Sequence, residues 1–473
     1  LTADTSAGCT MTAVDDVLPA RRPDARLIVV VVAVLAAGAL WAALHLRGSY
    51  FLYDEWSMIE RVSHRSVWSG MTASFNGHLW MAQYWVYRVQ VSAFGVDSHA
   101  FVCGVFVVSL VLLHAAVAAV LRAARLRVLD VVLLGGLLTY LGASSQNMLF
   151  AVQVSPTLSA AAGFGAVALT LGGPSSLREP SWRRAAAVGT LLLACVAVDS
   201  GVALGLVVCC AIVAGGLWRS LRVAALAPAV LLLAGWYAFG DLGPRFPASV
   251  GARAAFARRL LLQSAGSVVG GGQIVGAVLL LASAIVLGQG ARRRHVHGPV
   301  AVLAIGGVVA ALVTTVGIAQ SRAGLKGFTF VDFNRYLSNV ALPLYVGLVP
   351  AVAVAVRAWW HSRERPGGSV LVALPAVCVA VAFALGLSPL WHYARGFTAW
   401  NRSVHMKVQA ATVVIRDGCP SGAAPVPASQ PAGVLSPQIS TALLRELLQR
   451  GALHAPTGPA FDPNVTIAMC PDG

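Results

Sequence analysis

Leu27-Ile28-Val29-Val30-Val31-Val32-Ala33-Val34-Leu35-Ala36-Ala37-Gly38-Ala39-Leu40-Trp41-Ala42-Ala43-Leu44-His45-Leu46 contains no Asp, Glu, Lys or Arg. Such a run matches the roughly 20 apolar residues that an α-helix needs to cross a bilayer core, where every backbone N–H and C=O must find its partner inside the helix. It is too long and too uninterrupted for the apolar part of a signal peptide, and no small-residue cleavage site follows it. The segment therefore reads as a first transmembrane helix, and the same pattern recurs along the chain. Further apolar blocks lie near residues 99–121, 128–143, 156–173, 185–198, 202–218, 223–240, 274–291, 298–319, 336–357 and 369–388. The expected fold is all-α and integral to a membrane, with about eleven transmembrane helices.

The composition agrees. Of 473 residues, 58% are hydrophobic and 11% are charged, with a mean hydropathy of +0.75. A soluble domain carries roughly 25% charged residues, so this chain cannot build an ordinary water-facing surface. Its net charge of +16 does not point to nucleic acid, because the cations sit in short clusters between apolar blocks, as in loops facing an anionic leaflet. Those clusters set the orientation. The 34 Lys and Arg divide evenly between the two sides, so density decides, and short loops dominate. Arg21/Arg22/Arg26, Arg122/Arg125/Arg127, Arg178/Arg183/Arg184, Arg219/Arg222, Arg292/Arg293/Arg294 and Arg357/Arg363/Arg365 fall on one side in compact segments. The turns around Ser144–Ser155 and Asp199 on the other side carry no cation. The reading is N-in and C-out. Residues 1–26 form a disordered cytoplasmic tail, 27–388 the transmembrane domain and 389–473 an extracytoplasmic C-terminal segment.

Cysteine placement fits this orientation. Cys103, Cys195, Cys209, Cys210 and Cys378 lie inside apolar blocks, where cysteine acts as a small hydrophobe, and Cys9 lies in the tail. Cys419 and Cys470 fall in the polar C-terminal segment. In an oxidising compartment they can pair, and closing a loop of roughly fifty residues is worth about 4 kcal/mol in the chain-entropy model. Within that loop, Ser436-Pro437 has the form of a helix start. Leu443, Leu444, Leu447 and Leu448 give the helix an apolar face, and Gly451 ends it.

The first outer loop, residues 47–98, opens as Ser49-Tyr50-Phe51-Leu52-Tyr53-Asp54-Glu55-Trp56. Adjacent carboxylates beside a transmembrane helix are costly to hold and mark Asp54 and Glu55 as candidate catalytic residues; Asp54 can also N-cap a short helix over residues 55–62. Trp80, Tyr84, Tyr87 and Val91 recur at helical spacing, which predicts a helix lying in the membrane interface. Asn76 and His78 precede it as candidate substrate contacts.

A later outer loop, residues 320–336, interleaves Arg322, Lys326 and Arg335 with Phe328, Phe330 and Phe333. Cations among aromatics at a membrane surface fit a phosphate carried on a lipid tail, with Arg supplying a bidentate fork and Lys a point charge. Arg245, Arg253, Arg258 and Arg259 of the preceding outer loop are candidates for the same electropositive surface. An acid in one outer loop and cations in another could deprotonate a hydroxyl acceptor while holding a lipid-phosphate leaving group. Asp54 and Glu55 are also the candidate ligands should a divalent cation, Mg²⁺ or Mn²⁺, take part. The chain holds no Walker loop, dinucleotide-binding glycine pattern, H-E-x-x-H or closely spaced Cys/His set.

Tyr53-Asp54-Glu55 just after the first transmembrane helix, followed by interface helices and many further spans, resembles the GT-C superfamily of integral membrane glycosyltransferases. The resemblance covers the topology from about 27 to 390. It implies an inverting sugar transfer from a polyprenyl-phosphate-linked donor to a glycan, lipid or protein acceptor. It further implies that Asp54 is the general base, and that a later outer loop grips the lipid phosphate, here through Arg322, Lys326 and Arg335. Larger members carry a big soluble C-terminal domain, which residues 389–473 do not supply. The Ala/Val/Arg-rich bias implies a bacterial plasma membrane with the active face extracytoplasmic. The alternatives are a transporter or flippase for a lipid or polar solute, and a non-catalytic scaffold in envelope assembly. Few charges lie within the apolar blocks, unlike the mid-membrane charges of transporters. The enzyme reading requires Asp54 to line one cavity with Arg322, Lys326 or Arg335.

Overall fold

A computed structural model of the chain describes residues 25–470, apart from 53, 76, 141–146, 148–149, 173–179, 241–245, 294, 325–329, 362–367, 420–438, 458–459 and 461. The tail up to residue 24, Cys9, Tyr53, Asn76, Arg245, Lys326 and Ser436-Pro437 lie outside the described residues. Arg335 lies on a described helix, but its side chain does not belong to the described set.

Among the described residues the chain is helical, the only bridge pairing Phe75 with His78. Helix α1 (Ala25–Leu46) leads into three short helices of the first loop, α2 (Asp54–His64), α3 (Val67–Thr72) and α4 (Met81–Val89), the last continued by a π-helical turn over Gln90–Phe94. The bundle follows as α5 (Ala100–Ala123), α6 (Val128–Tyr140), α7 (Val154–Leu171), α8 (Trp182–Val198), α9 (Ser200–Leu217), α10 (Arg222–Phe239), α11 (Val250–Ser267), α12 (Gln273–Arg292), α13 (Gly298–Arg322) and α14 (Phe330–His361). Helix α15 (Gly368–Asp417) is 50 residues long, and α16 (Thr441–Gln449) and α17 (Pro463–Met469) close the chain.

Each of the eleven apolar blocks falls largely on a helix, and among the described residues eight helices are long and apolar enough to cross a membrane. Helices α6 and α8 are shorter, at 13 and 17 residues. The bundle packs through small residues: a Cβ on Gly307 of α13 would sit 2.8 Å from Gly347 Cα of α14, so the two backbones touch. At one end of the bundle, Arg357 of α14 pairs with Asp130 of α6 at 3.2 Å. The first loop covers the other end.

Four expectations change. Residues 250–267, read as loop, form α11, whose N-cap Ser249 accepts from Ala252 N; three arginines lower its hydropathy without impairing its helix propensity. The boundary at 388 falls inside α15, because the apolar block runs on into a half-polar helical sequence. The C-terminal helix starts later than Ser436: Ser440 caps it by accepting from Leu443 N at 3.1 Å. Its Leu443, Leu444 and Leu447 are buried and Gly451 follows it at φ 67°, the left-handed conformation that ends helices. Finally, the aromatic face of the first loop is not laid on lipid. Tyr84 and Tyr87 are fully buried with Phe51 and Trp56, while Trp85 faces outward.

Cys419 and Cys470 form a disulfide, with Cα atoms 5.8 Å apart and a sequence separation of 51. The segment it staples lies against the first loop. His64 contacts Glu446 at 2.6 Å, Asp97 accepts from the His454 backbone N–H at 3.0 Å, and Ala452 O accepts from Val96 N at 2.6 Å. Gly95 permits that approach: its φ is 65°, and a Cβ there would lie 2.5 Å from Ala452 O.

Candidate functional site

The acidic pair splits. Helix α2 begins at Asp54, so neighbouring residues diverge by about 100° around its axis. Glu55 turns inward and is only 2% exposed. Its carboxylate accepts from Tyr87 Oη and from Leu52 N at 2.9 Å, and it pairs with His99 Nε2 at 2.7 Å. Desolvation opposes charge on the buried His99 ring, but the Glu55 carboxylate and the Cys103 side chain together outweigh it and lift the imidazole from 6.5 to about 10. The pair is thus an ion pair packed under Phe51, whose ring lies 4.4 Å from that of His99. Glu55 does not line the cavity described next; it fixes the start of α2.

Asp54 lines a cavity of about 810 Å³ at the end of the bundle that the first loop covers. The roof is Asp54 together with Gly77, His78 and Trp80, and the walls are the adjoining ends of α7, α9, α10, α11, α13 and α14. Arg61 of α2 anchors the roof by donating to the carbonyls of Ala73 (2.8 Å) and Ser74 (2.5 Å). Arg322 lines the same cavity, from the last turn of α13. So does Arg253 of α11, whereas Arg258 and Arg259, five and six residues on, are exposed elsewhere on that helix. Tyr336 and Asn339 of α14 complete the cationic side.

A second carboxylate, not singled out as a site by sequence, belongs to the cavity. Asp199 links α8 to α9 and is 2% exposed. Its Oδ1 accepts from Gly201 N (2.8 Å) and Val202 N (3.3 Å), which makes it the N-cap of α9. Its Oδ2 accepts from Trp80 Nε1 at 3.0 Å, and His78 Nδ1 lies 3.5 Å from Oδ1. Burial pushes the Asp199 carboxyl up, against the pull of His78 and the three N–H donors. Ser200 Oγ accepts from Leu79 N at 3.0 Å. The α8–α9 tip therefore docks the Gly77–Trp80 segment on the cavity wall. Sequence alone placed Asp199 at a hairpin tip, and an acid in a turn with no cation was the available signal.

Of the expected site residues, Asp54, His78 and Arg322 meet in one cavity. Among the described residues no group of three or more His, Cys, Asp and Glu is arranged to hold a metal ion, and Asp199 has its oxygens committed to N–H donors. No protein-family model, curated protein or solved structure matches the chain.

Proposed function

We propose that the protein is a membrane glycosyltransferase that moves a sugar from a polyprenyl-phosphate donor to a hydroxyl acceptor, with inversion, at an extracytoplasmic face of a bundle of about eleven spans. Asp54 accepts the acceptor's hydroxyl proton as the oxygen attacks the anomeric carbon. The bond from that carbon to the phosphate oxygen breaks on the opposite face, and polyprenyl phosphate leaves. Arg322, joined by Arg253, holds the phosphate and offsets the charge that grows on it in the transition state. Glu55 is a positioning residue in this reading, because it holds the first turn of α2 and touches no substrate.

The observation that carries the reading is that Asp54 and Arg322, far apart in sequence, line a single cavity at the ends of apolar helices. The test uses purified protein in proteoliposomes supplied with radiolabelled polyprenyl-phosphate hexoses and pentoses, following release of polyprenyl phosphate. Asp54→Asn should cut the rate by about 10²–10⁴-fold, the usual worth of a general base, with insertion intact. Full activity in that variant would remove Asp54 from its role. Movement of intact donor across the bilayer without bond cleavage would favour a transporter.

A further inference from the structure

We infer that Gln153, Thr314 and Asn339 form a subsite of the cavity for the transferred sugar, and that this subsite takes an uncharged sugar through its hydroxyl groups. The inference rests on the glycosyltransferase reading and deepens it, because it names the class of sugar that the donor carries.

The charges on the cavity sit at helix ends and in the roof. Arg322 belongs to the last turn of α13, Arg253 to the first turn of α11, and Asp199 caps α9, while Asp54 and His78 are roof residues. Below Arg322 every residue of α13 that lines the cavity, from Ser321 to Val313, is uncharged. Thr314 precedes Arg322 by eight positions, about 12 Å along a helix axis. It comes level with Asn339. Helices α13 and α14 run antiparallel, because Arg322 and Tyr336 share the cavity while Gly307 meets Gly347 and Pro343. Seven residues beyond Gly307, Thr314 therefore lies opposite residues 336–340. Gln153 is drawn to the same place, since Asn147, shortly before it, donates to Ser338 Oγ.

Buried polar groups in proteins are normally paired, and the neighbours of these three are. Thr315 donates to Ala311 O at 2.7 Å, and Gln83 accepts from Ser155 N at 3.2 Å. Among the described residues, the side chains of Gln153, Thr314 and Asn339 make no hydrogen bond, although Gln153 is only 8% and Thr314 only 6% exposed. Gly205 of α9 leaves the space that the Thr314 hydroxyl occupies, for a Cβ there would fall 2.3 Å from Oγ1. The residue types decide the ligand. An amide offers donors and an acceptor together, and a hydroxyl offers both. A phosphate only accepts and an ammonium only donates, so either would leave part of this set unmet. A sugar hydroxyl gives and takes, and Pro156, Val202 and Val313 in the same lining suit the C–H faces of the ring. A carboxylate or ammonium on the sugar would be desolvated there without a counter-charge.

The experiment measures equilibrium binding to the whole chain in nanodiscs with three probes: polyprenyl phosphate, polyprenyl-phosphate hexose and polyprenyl-phosphate hexuronic acid. Wild type should bind the hexose donor about tenfold more tightly than bare polyprenyl phosphate, the scale of one or two net hydrogen bonds. It should bind the hexuronic acid donor about a hundredfold more weakly than the hexose donor. Thr314→Val, Gln153→Leu and Asn339→Leu should each shrink the hexose gain, with bare polyprenyl phosphate as the internal reference. Thermal unfolding identifies any variant that fails to fold; Thr314→Val, which keeps the shape of its side chain, then carries the test. The inference is overturned if the hexose adds no affinity, if the folded variants leave its gain unchanged, or if the hexuronic acid donor binds as tightly. In each of those cases, binding of bare polyprenyl phosphate keeps the cavity as a lipid-phosphate site. A hexose gain that the variants remove, in a protein that releases no polyprenyl phosphate from the donor in proteoliposomes, supports the subsite and overturns the glycosyltransferase reading.

Discussion

The first loop is gripped from two directions, and the two grips are made differently. On the cavity side, the α8–α9 tip holds it through Asp199 and Ser200, both about as buried as the protein core. On the far side, the stapled C-terminal segment holds it through His64–Glu446 and His454–Asp97, where the histidines are 49% and 73% exposed. Buried polar pairs cost much to break, since a lost partner leaves a desolvated group behind. Exposed pairs are screened and individually weak. The cavity side is therefore fixed in geometry, while the outer seam depends on its disulfide and on buried Leu443, Leu444 and Leu447.

That contrast can be broken at several points. The largest effect is expected beneath the roof: Glu55→Ala strands a charged His99 and should cost up to about 5 kcal/mol, seen as loss of folded protein or a steep fall in melting temperature. Next is the seam's staple. Replacing Cys419 and Cys470 with serine should cost about 4 kcal/mol, with proteolysis of the C-terminal segment increasing before the bundle unfolds. A graded effect comes from pH. His99 titrates near 10 in the fold, above an ordinary imidazole at about 6.5. Its stabilisation is then complete below about pH 6.5 and is lost as pH rises towards 10. A melting-temperature profile should show that decline in wild type and lack it in His99→Gln. Smallest is His454→Ala, which removes an exposed pair and should shift stability by under about 1 kcal/mol; a larger loss would mean the seam is stiffer than its exposure implies.

Much of the architecture is legible in the residues because bilayer-spanning helices announce themselves by length and hydropathy. The disulfide follows from the only two cysteines in a polar region beyond the tail. Counting alternate loops puts Asp54 and Arg322 on one face, but only the fold brings them to one cavity. What escapes the sequence is tertiary. Helix α11 hides behind Arg253, Arg258 and Arg259, whose charge masks a helical stretch. Ser436-Pro437 and Ser440 both offer helix starts, and only the packing of Leu443 decides between them. Nothing local links Glu55 to His99, or His78 to Asp199, since those pairs are made by folding the first loop back over the bundle. The two carboxylates of Asp54-Glu55 look equivalent in the sequence, yet a single residue's step of about 100° around the helix assigns one to the cavity and the other to the core.

The seam between the first loop and the stapled segment also has a consequence in time. Its contacts join positions 357, 382 and 387 residues apart, so the first loop is synthesised, and must persist, long before its partner exists. During that interval its edge at Gly95–Asp97 is bare, and it stays so until the chain beyond α15 has emerged and Cys470 has reached Cys419. Closing the seam therefore cannot precede synthesis of residues 446–454, however early the first loop is made.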